Sequence, residues 1–338
     1  MVRLGFLGTG WIGRHRMGAS IGAGASAIAI ADPSPRDVDE ALKLAPDACI
    51  VPSLDAMLDM DLDGVVIATP SALHAEQAIA ALDRGVPVFC QKPLGRNAAE
   101  VEAVLAAARR ADRLIGIDLS YRHTAAIQPI RDAVRAGGLG RVYGVDLVFH
   151  NAYGPDKAWF YDPALSGGGC LIDLGVHLID LALWVLDFPA VASVSGRLLA
   201  GGWPLTDRSS QVEDYAVAEM LLADGTPIRI ATSWRLPAGQ EAVITAEFYG
   251  TDGGAALRNI GGSFYDFAAY RYSGTTAETL VTPPDDWGGR AARRWVEQLA
   301  KDHRYDAGAD AFADVARILD AIYEGALSGI REDVEAVR

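Results

Sequence analysis

The sequence predicts an α/β protein: a doubly wound parallel sheet over residues 1–120, then a second α/β domain over residues 121–338 on an antiparallel or mixed sheet. Three observations predict it. Short apolar runs alternate with longer amphipathic ones up to about residue 120. A glycine-rich turn, Gly8-Thr9-Gly10-Trp11-Ile12-Gly13, follows the first run directly. From about residue 190 to 282, strand-like segments follow one another.

Taken in order, Val2–Leu7, Ser26–Ala31, Ala48–Val51, Gly64–Ala68, Val86–Cys90 and Leu114–Leu119 read as strands buried on both faces of a parallel sheet. Ser71–Arg84 and Asn97–Ala111 carry apolar residues at helical spacing, and Gly85 stops the first. Strand and helix in alternation imply right-handed βαβ crossovers. After residue 120 the pattern changes. Ala125–Ala136 reads as a helix, Arg141–His150 as a strand and Cys170–Leu186 as one apolar helix. Tyr215–Leu222 and Pro227–Arg235 flank Ala223-Asp224-Gly225-Thr226, a strong hairpin signal. Ile228, Ile230, Thr232 and Trp234 alternate with Arg229, Ala231, Ser233 and Arg235 as one face of a strand. Gly201–Ser210 reads as the long surface loop. Gly288–Asp302 and Asp310–Leu327 close the chain as helices that can pack back on the first domain.

The formal net charge of -14 argues against nucleic-acid and anionic-membrane partners. No uninterrupted apolar stretch reaches the roughly 18 residues of a membrane span, and the N-terminal run lacks signal-peptide features. Three cysteines without CxxC spacing fit neither a disulfide framework nor a structural zinc site. A reducing cytoplasm and no bound metal are the expectations.

The glycine turn fits GxGxxG and opens a helix. Gly8 permits the tight turn, Gly10 lets a pyrophosphate approach the backbone, and Gly13 lets helix pack on strand. Thr9, Trp11 and Ile12 complete this cofactor loop, and free N–H groups at the helix start attract the anion. The first domain is therefore expected to be of the dinucleotide-binding Rossmann type. Asp32 ends the second strand, where an acid accepts hydrogen bonds from the adenosine ribose and repels a 2′-phosphate. NAD is the expected cofactor; Ser34 and Arg36 leave NADP open. Thr69-Pro70-Ser71 sits at the carboxyl edge of the sheet, and Ser71 can also cap the next helix.

Two further segments carry chemistry: Gln91-Lys92-Pro93 after the fifth strand, and the run from Gly167-Gly168-Gly169 through Asp173 and His177 to Asp180. Oxidation of an alcohol requires hydride transfer and loss of the hydroxyl proton. Asp173 and His177 are four apart and share a face on a helix. A neutral His accepts a proton at cellular pH. Asp173 can orient it, stabilise the imidazolium or bind a second hydroxyl. Lys92 supplies positive charge where alkoxide develops, or relays the proton.

These motifs, with Thr69-Pro70 and His74, resemble the Gfo/Idh/MocA oxidoreductase family, which includes inositol dehydrogenases and glucose-fructose oxidoreductase. The resemblance covers nearly the whole chain. It implies an N-terminal Rossmann domain, and a C-terminal α/β domain with an open, mostly antiparallel sheet that forms homodimers or homotetramers. Lys92 matches the lysine of the family's EKP motif; Asp173 and His177 match its GGG…D…H segment. Gln91 stands where the family usually has Glu. The resemblance also places Thr69, Pro70, His74, Gln91 and Lys92 near the cofactor. Substrate candidates are Lys92, Asp173, His177, Arg122 after the sixth strand, and Tyr153 and Trp159, whose rings can stack on a sugar or pack in the core. The implied activity is oxidation of a sugar, inositol or related polyol. Reduction of another carbonyl or imine and a non-catalytic dinucleotide sensor are the alternatives.

Overall fold

The apolar runs of the first third pair as six parallel strands in the order β3-β2-β1-β4-β5-β6. They are β1 (Arg3–Leu7), β2 (Ser26–Ala31), β3 (Cys49–Ile50), β4 (Gly64–Ile67), β5 (Val88–Cys90) and β6 (Ile115–Ile117) in a computed structural model that describes residues 1–328. Helices α1 (Trp11–Gly22), α2 (Pro35–Leu42), α3 (Leu54–Leu58), α4 (Ser71–Asp83) and α5 (Ala98–Ala111) connect them. β4 is buried at all four positions, as a strand covered on both faces must be. β3 departs from the expectation: it is an edge strand whose two residues are both exposed. β5 starts at Val88 because Pro87 has no N–H to donate to a ladder. Ser71 does not cap α4; it is the first helical residue, and Pro70 occupies the capping position without a side-chain bond.

The strand order reverses between β1 and β4. Their carboxyl ends therefore diverge into a crevice, the position where open α/β sheets bind ligands.

The second sheet has nine strands in the order β15-β14-β13-β12-β7-β11-β10-β8-β9. They are β7 (Val142–Asn151), β8 (Val191–Ala200), β9 (Trp203–Pro204), β10 (Tyr215–Leu222), β11 (Pro227–Ser233), β12 (Ala242–Gly250), β13 (Gly254–Asn259), β14 (Phe267–Ser273) and β15 (Thr276–Val281). Only β7 and β11 pair in parallel, so the sheet is mixed and mostly antiparallel. The Asp224-Gly225 turn closes the β10–β11 hairpin, with Gly225 in the left-handed region. Ile228, Ile230, Thr232 and Trp234 are buried as the alternation predicts. Ser233 breaks the pattern: it is also buried, beside His150 Nδ1 at 2.8 Å. The expected loop at Gly201–Ser210 begins with a short hairpin, because β9 pairs back on β8.

One face of this sheet is covered by α6 (Ile127–Arg135) and α8 (Val176–Val185), with α7 (Pro163–Ser166) before the glycine run. The single helix expected over Cys170–Leu186 is instead a π-helical turn, Leu171–Gly175, running into α8. The cause lies beneath the chain. A Cβ on Gly169 would stand 1.8 Å from the Glu213 carbonyl oxygen, so only glycine fits there. Glu213 Oε1 then accepts hydrogen bonds from Gly169 N, Leu171 N and Tyr323 Oη at 3.0, 2.9 and 2.7 Å. Pro163–Val185 is the one helical run among the described residues long and apolar enough to cross a membrane, and 83% of its apolar window is buried within the fold.

The last two helices join the sheets. α9 (Arg290–Leu299) packs Trp295 on Phe89 of β5, with ring centroids 5.7 Å apart. α10 (Ala311–Ser328) lies between α5 and β8; Asp320 accepts from Ala98 N at 2.8 Å, and Ile322 fills the space left by Gly196.

Candidate active site

The crevice at the carboxyl ends of β1 and β4 opens into a cleft of about 840 Å³. Gly10, Trp11, Ile12, Thr69, Pro70, His74, Gln91 and Lys92 line it. Gly8, Thr9, Gly13 and Asp32 are not on its lining. The turn suits a pyrophosphate. Gly8 has φ +84°, and a Cβ on Gly13 would fall 2.1 Å from Gly8 O, so turn and helix are in direct contact. A Cβ on Gly10 would meet nothing within 4 Å, and no side chain caps α1, so its first N–H groups are free for an anion. Asp32 accepts from Thr9 N at 2.6 Å and Ser34 N at 2.8 Å, which holds its carboxylate at the far end of the turn. Ser34, Arg36 and Asp37 continue the cleft beyond it. His74 is buried with its ring nitrogens 2.7 Å from Pro93 O and Thr69 O, so it straps two cleft loops together. Burial lowers its pKa.

Lys92 stands where this cleft meets a second, smaller cavity of about 240 Å³ and lines both. Its Nζ donates to Asp173 Oδ1 at 2.6 Å and to Asp173 O at 2.7 Å. Asp173 Oδ2 also accepts from Trp234 Nε1 at 3.1 Å. His177 lines the smaller cavity, its ring 4.9 Å from that of Tyr121. It does not bond Asp173. The π-helical turn places Asp173 against Lys92, and the buried His177 Nδ1 has no hydrogen-bond partner among the described residues. Burial, then the charges of Lys92 and Arg16, push the His177 pKa well below the ordinary imidazole value. At neutral pH the ring is uncharged and can accept a proton.

The other candidates separate. Trp159 lines the main cleft and stacks on Phe160 at 3.8 Å. Tyr153 is 52% exposed and lies on neither cavity. Arg122 is not on either lining; it forms a two-pronged ion pair with buried Asp180, Nε to Oδ2 at 2.6 Å, and ties the turn after β6 to α8. Cys90 and Cys170 are buried thiols whose pKa values burial raises, so neither is a nucleophile at neutral pH.

Two groups escaped the sequence reading. Trp234 stands in the alternation only as one face of its strand, while the structure turns its indole N–H to Asp173. Arg16 and Asp118 form a buried ion pair on the wall of the smaller cavity. A signal existed for Arg16: it lies on the buried stripe of α1 with Gly13, Met17 and Ser20, where a charge requires a partner.

A glycine-cradled crevice beside a lysine and a neutral histidine defines a nicotinamide-dependent oxidoreductase by class. Residues 2–119 match the model of an oxidoreductase family with an NAD-binding Rossmann fold, and residues 127–256 match the GFO/IDH/MocA C-terminal domain. The chain belongs to the Gfo/Idh/MocA oxidoreductase family. It is 32% identical to a putative UDP-kanosamine synthase oxidoreductase subunit of Amycolatopsis mediterranei (strain S699), over 76% of this chain and 75% of that one. It is 25% identical to D-glucoside 3-dehydrogenase of Escherichia coli (strain K12), over 82% and 81%. Its fold matches a levoglucosan dehydrogenase solved with NADH and levoglucosan, with a TM-score of 0.82, 22% identity and 97% of each chain covered.

Proposed function

We propose that this oxidoreductase oxidises a secondary hydroxyl of a sugar, inositol or related polyol, with NAD as the preferred cofactor. One observation carries the reading. Lys92, held at 2.6 Å by Asp173, shares a cavity with a neutral imidazole whose Nδ1 has no hydrogen-bond partner among the described residues. When bound, the nicotinamide supplies the hydride acceptor. The chain's own groups do the rest. The Lys92 ammonium stabilises negative charge on the substrate oxygen as its proton leaves. His177 takes that proton; its depressed pKa keeps the ring unprotonated, and so available as acceptor, at neutral pH. Asp173 fixes the lysine and, with one oxygen also on Trp234, keeps it aimed into the cavity. Trp159 offers an aromatic face for the sugar ring.

The cofactor roles assigned to Gly8, Thr9, Gly10, Trp11, Ile12, Gly13, Asp32, Thr69, Pro70, His74, Gln91 and Lys92 belong to this proposal. So does NAD over NADP: the Asp32 carboxylate, fixed beside the turn, repels a 2′-phosphate. The same groups in reverse order would protonate a carbonyl during reduction, the reaction of a 3-ketoreductase of the same fold from Actinomadura kijaniata solved with NADP. The sheet of the second domain as a homodimer or homotetramer interface, and a cytoplasmic location, are proposed with it.

The test is a screen of sugars, inositols and sugar acids with NAD and NADP, following absorbance of the reduced nicotinamide. Lys92→Ala and His177→Ala should each lower kcat about 10²–10⁴-fold; NAD binding should stay within about threefold in His177→Ala and fall far less than kcat in Lys92→Ala. Near-normal turnover in both variants overturns the assignment.

A further inference from the structure

Gln91 precedes Lys92 and lines both cavities, yet it is 7% exposed. Its amide Nε2 donates to Asp118 Oδ2 at 2.5 Å. Asp118, at the end of β6, is itself clamped: Arg16 Nε bonds Oδ2, and Ser120 Oγ bonds Oδ1. Arg16 reaches further, to Ser120 Oγ at 3.3 Å and to His15 Nδ1 at 2.7 Å. Arg16, Asp118 and Ser120 are all less than 7% exposed, so this network is shielded from water.

The chemistry of the carboxylate settles which way the amide faces. An ionised carboxylate only accepts hydrogen bonds, so the NH₂ of Gln91 must point at Asp118. Its carbonyl oxygen is the group left for the cleft. We infer that Asp118, clamped by Arg16 and Ser120, is a positioning residue that holds Gln91 Oε1 as a fixed hydrogen-bond acceptor for an N–H or O–H donor of the nicotinamide nucleoside beside Lys92.

The inference rests on the reading that this cleft binds a nicotinamide dinucleotide, and not on which alcohol is oxidised. The buried carboxylate here is that of Asp118. A second one at position 91 would set two acceptors against each other in a buried site with only Arg16 to pair them. Amide and acid are complementary partners, and exchanging them should restore the arrangement.

The experiment compares the parent chain with Gln91→Glu, Gln91→Met and the double variant Gln91→Glu/Asp118→Asn, by calorimetric titration with NAD at neutral pH. No substrate is needed. Gln91→Glu should bind NAD at least about tenfold more weakly, and the double variant should recover to within about threefold of the parent. Gln91→Met keeps the side-chain length and loses the acceptor, so it too should bind about tenfold more weakly while folding normally. In turnover, its KM for NAD should rise more than its kcat falls. Parent-strength binding by Gln91→Glu or by Gln91→Met, or a double variant no better than Gln91→Glu, overturns the inference. Should Gln91→Glu fail to fold, recovery of folding by Asp118→Asn reads the same coupling, and its absence overturns it. Should the parent bind neither NAD nor NADP, the functional reading itself falls. The melting temperatures of these proteins without nucleotide would still report whether positions 91 and 118 are coupled.

Discussion

At the pyrophosphate end of the cleft, Thr9 meets Asp32 across 23 positions of sequence; at the reacting end, Lys92 meets Asp173 across 81 and Asp173 meets Trp234 across 61. The first end is one βαβ start: two adjacent strands, β1 and β2, with the turn and helix between them. The second is assembled from both sheets. A fault in sheet-to-sheet packing should therefore spoil the chemistry and spare dinucleotide binding. Glu213 is the place to look for that separation. Its carboxyl touches neither cavity, yet it holds the glycine run from which Asp173 projects.

The largest effect should come from the centre of the reacting end. Lys92→Ala removes the charge that stabilises the developing oxyanion, and a loss of about 10³-fold in kcat is expected, much larger than any loss of NAD affinity. Equal losses in kcat and in NAD affinity, by steady-state kinetics and titration, would break the division between the two ends.

Glu213→Ala leaves Gly169 N, Leu171 N and Tyr323 Oη without their acceptor in a buried site, which costs about 3–5 kcal/mol of stability by urea denaturation. NAD binding by the remaining folded protein should stay within about twofold of the parent. Burial raises the Glu213 pKa, and the milder Glu213→Gln change should retain most of the stability.

Acid should cost stability through His123, in the turn after β6. Burial, then nearby arginines, push the His123 pKa down to about 4. The folded value lies below the unfolded one, so the unfolded chain takes the proton first as pH falls. Stability is full above about pH 6.5 and declines toward about pH 4, by about 3 kcal/mol from this residue. His123→Asn should remove that part of the slope in melting temperature against pH. His177, depressed in the same direction, should keep the acid limb of kcat/KM below the ordinary histidine value.

Gly10→Ala sharpens the comparison from the other end. The added Cβ meets no protein atom within 4 Å, so unfolding should be nearly unchanged, while NAD binds about tenfold more weakly because the methyl occupies the pyrophosphate approach. The smallest effect is Tyr153→Ala. This residue is 52% exposed and off both cavities, and kcat/KM should change less than about twofold. A larger change would return Tyr153 to the substrate site.

Much of the fold was legible because it is written locally. Period, apolar runs and breakers placed the strands of the first sheet and β7, β10 and β11 of the second, and the Asp224-Gly225 hairpin needed only its own residues. The departures from a local reading lie where a distant partner sets the geometry. Cys170–Leu186 is apolar enough for one regular helix, but Glu213 draws its first N–H groups into a π-helical turn. Arg122 carries the same charge as Lys92 at the end of a neighbouring strand; only the buried Asp180 makes it a brace between elements.

By itself the sequence determined the dinucleotide turn, because glycine spacing and the strand before it act within one βαβ unit and need no distant partner. It also named Lys92, Asp173 and His177. Their relation was decided by tertiary structure alone: Asp173 serves the lysine and not the histidine, His177 is kept neutral by burial and two nearby cations, and Gln91 faces an acid on the next strand. Hydrogen-bond partners and desolvation depend on what packs around a group, and no spacing along the chain records that.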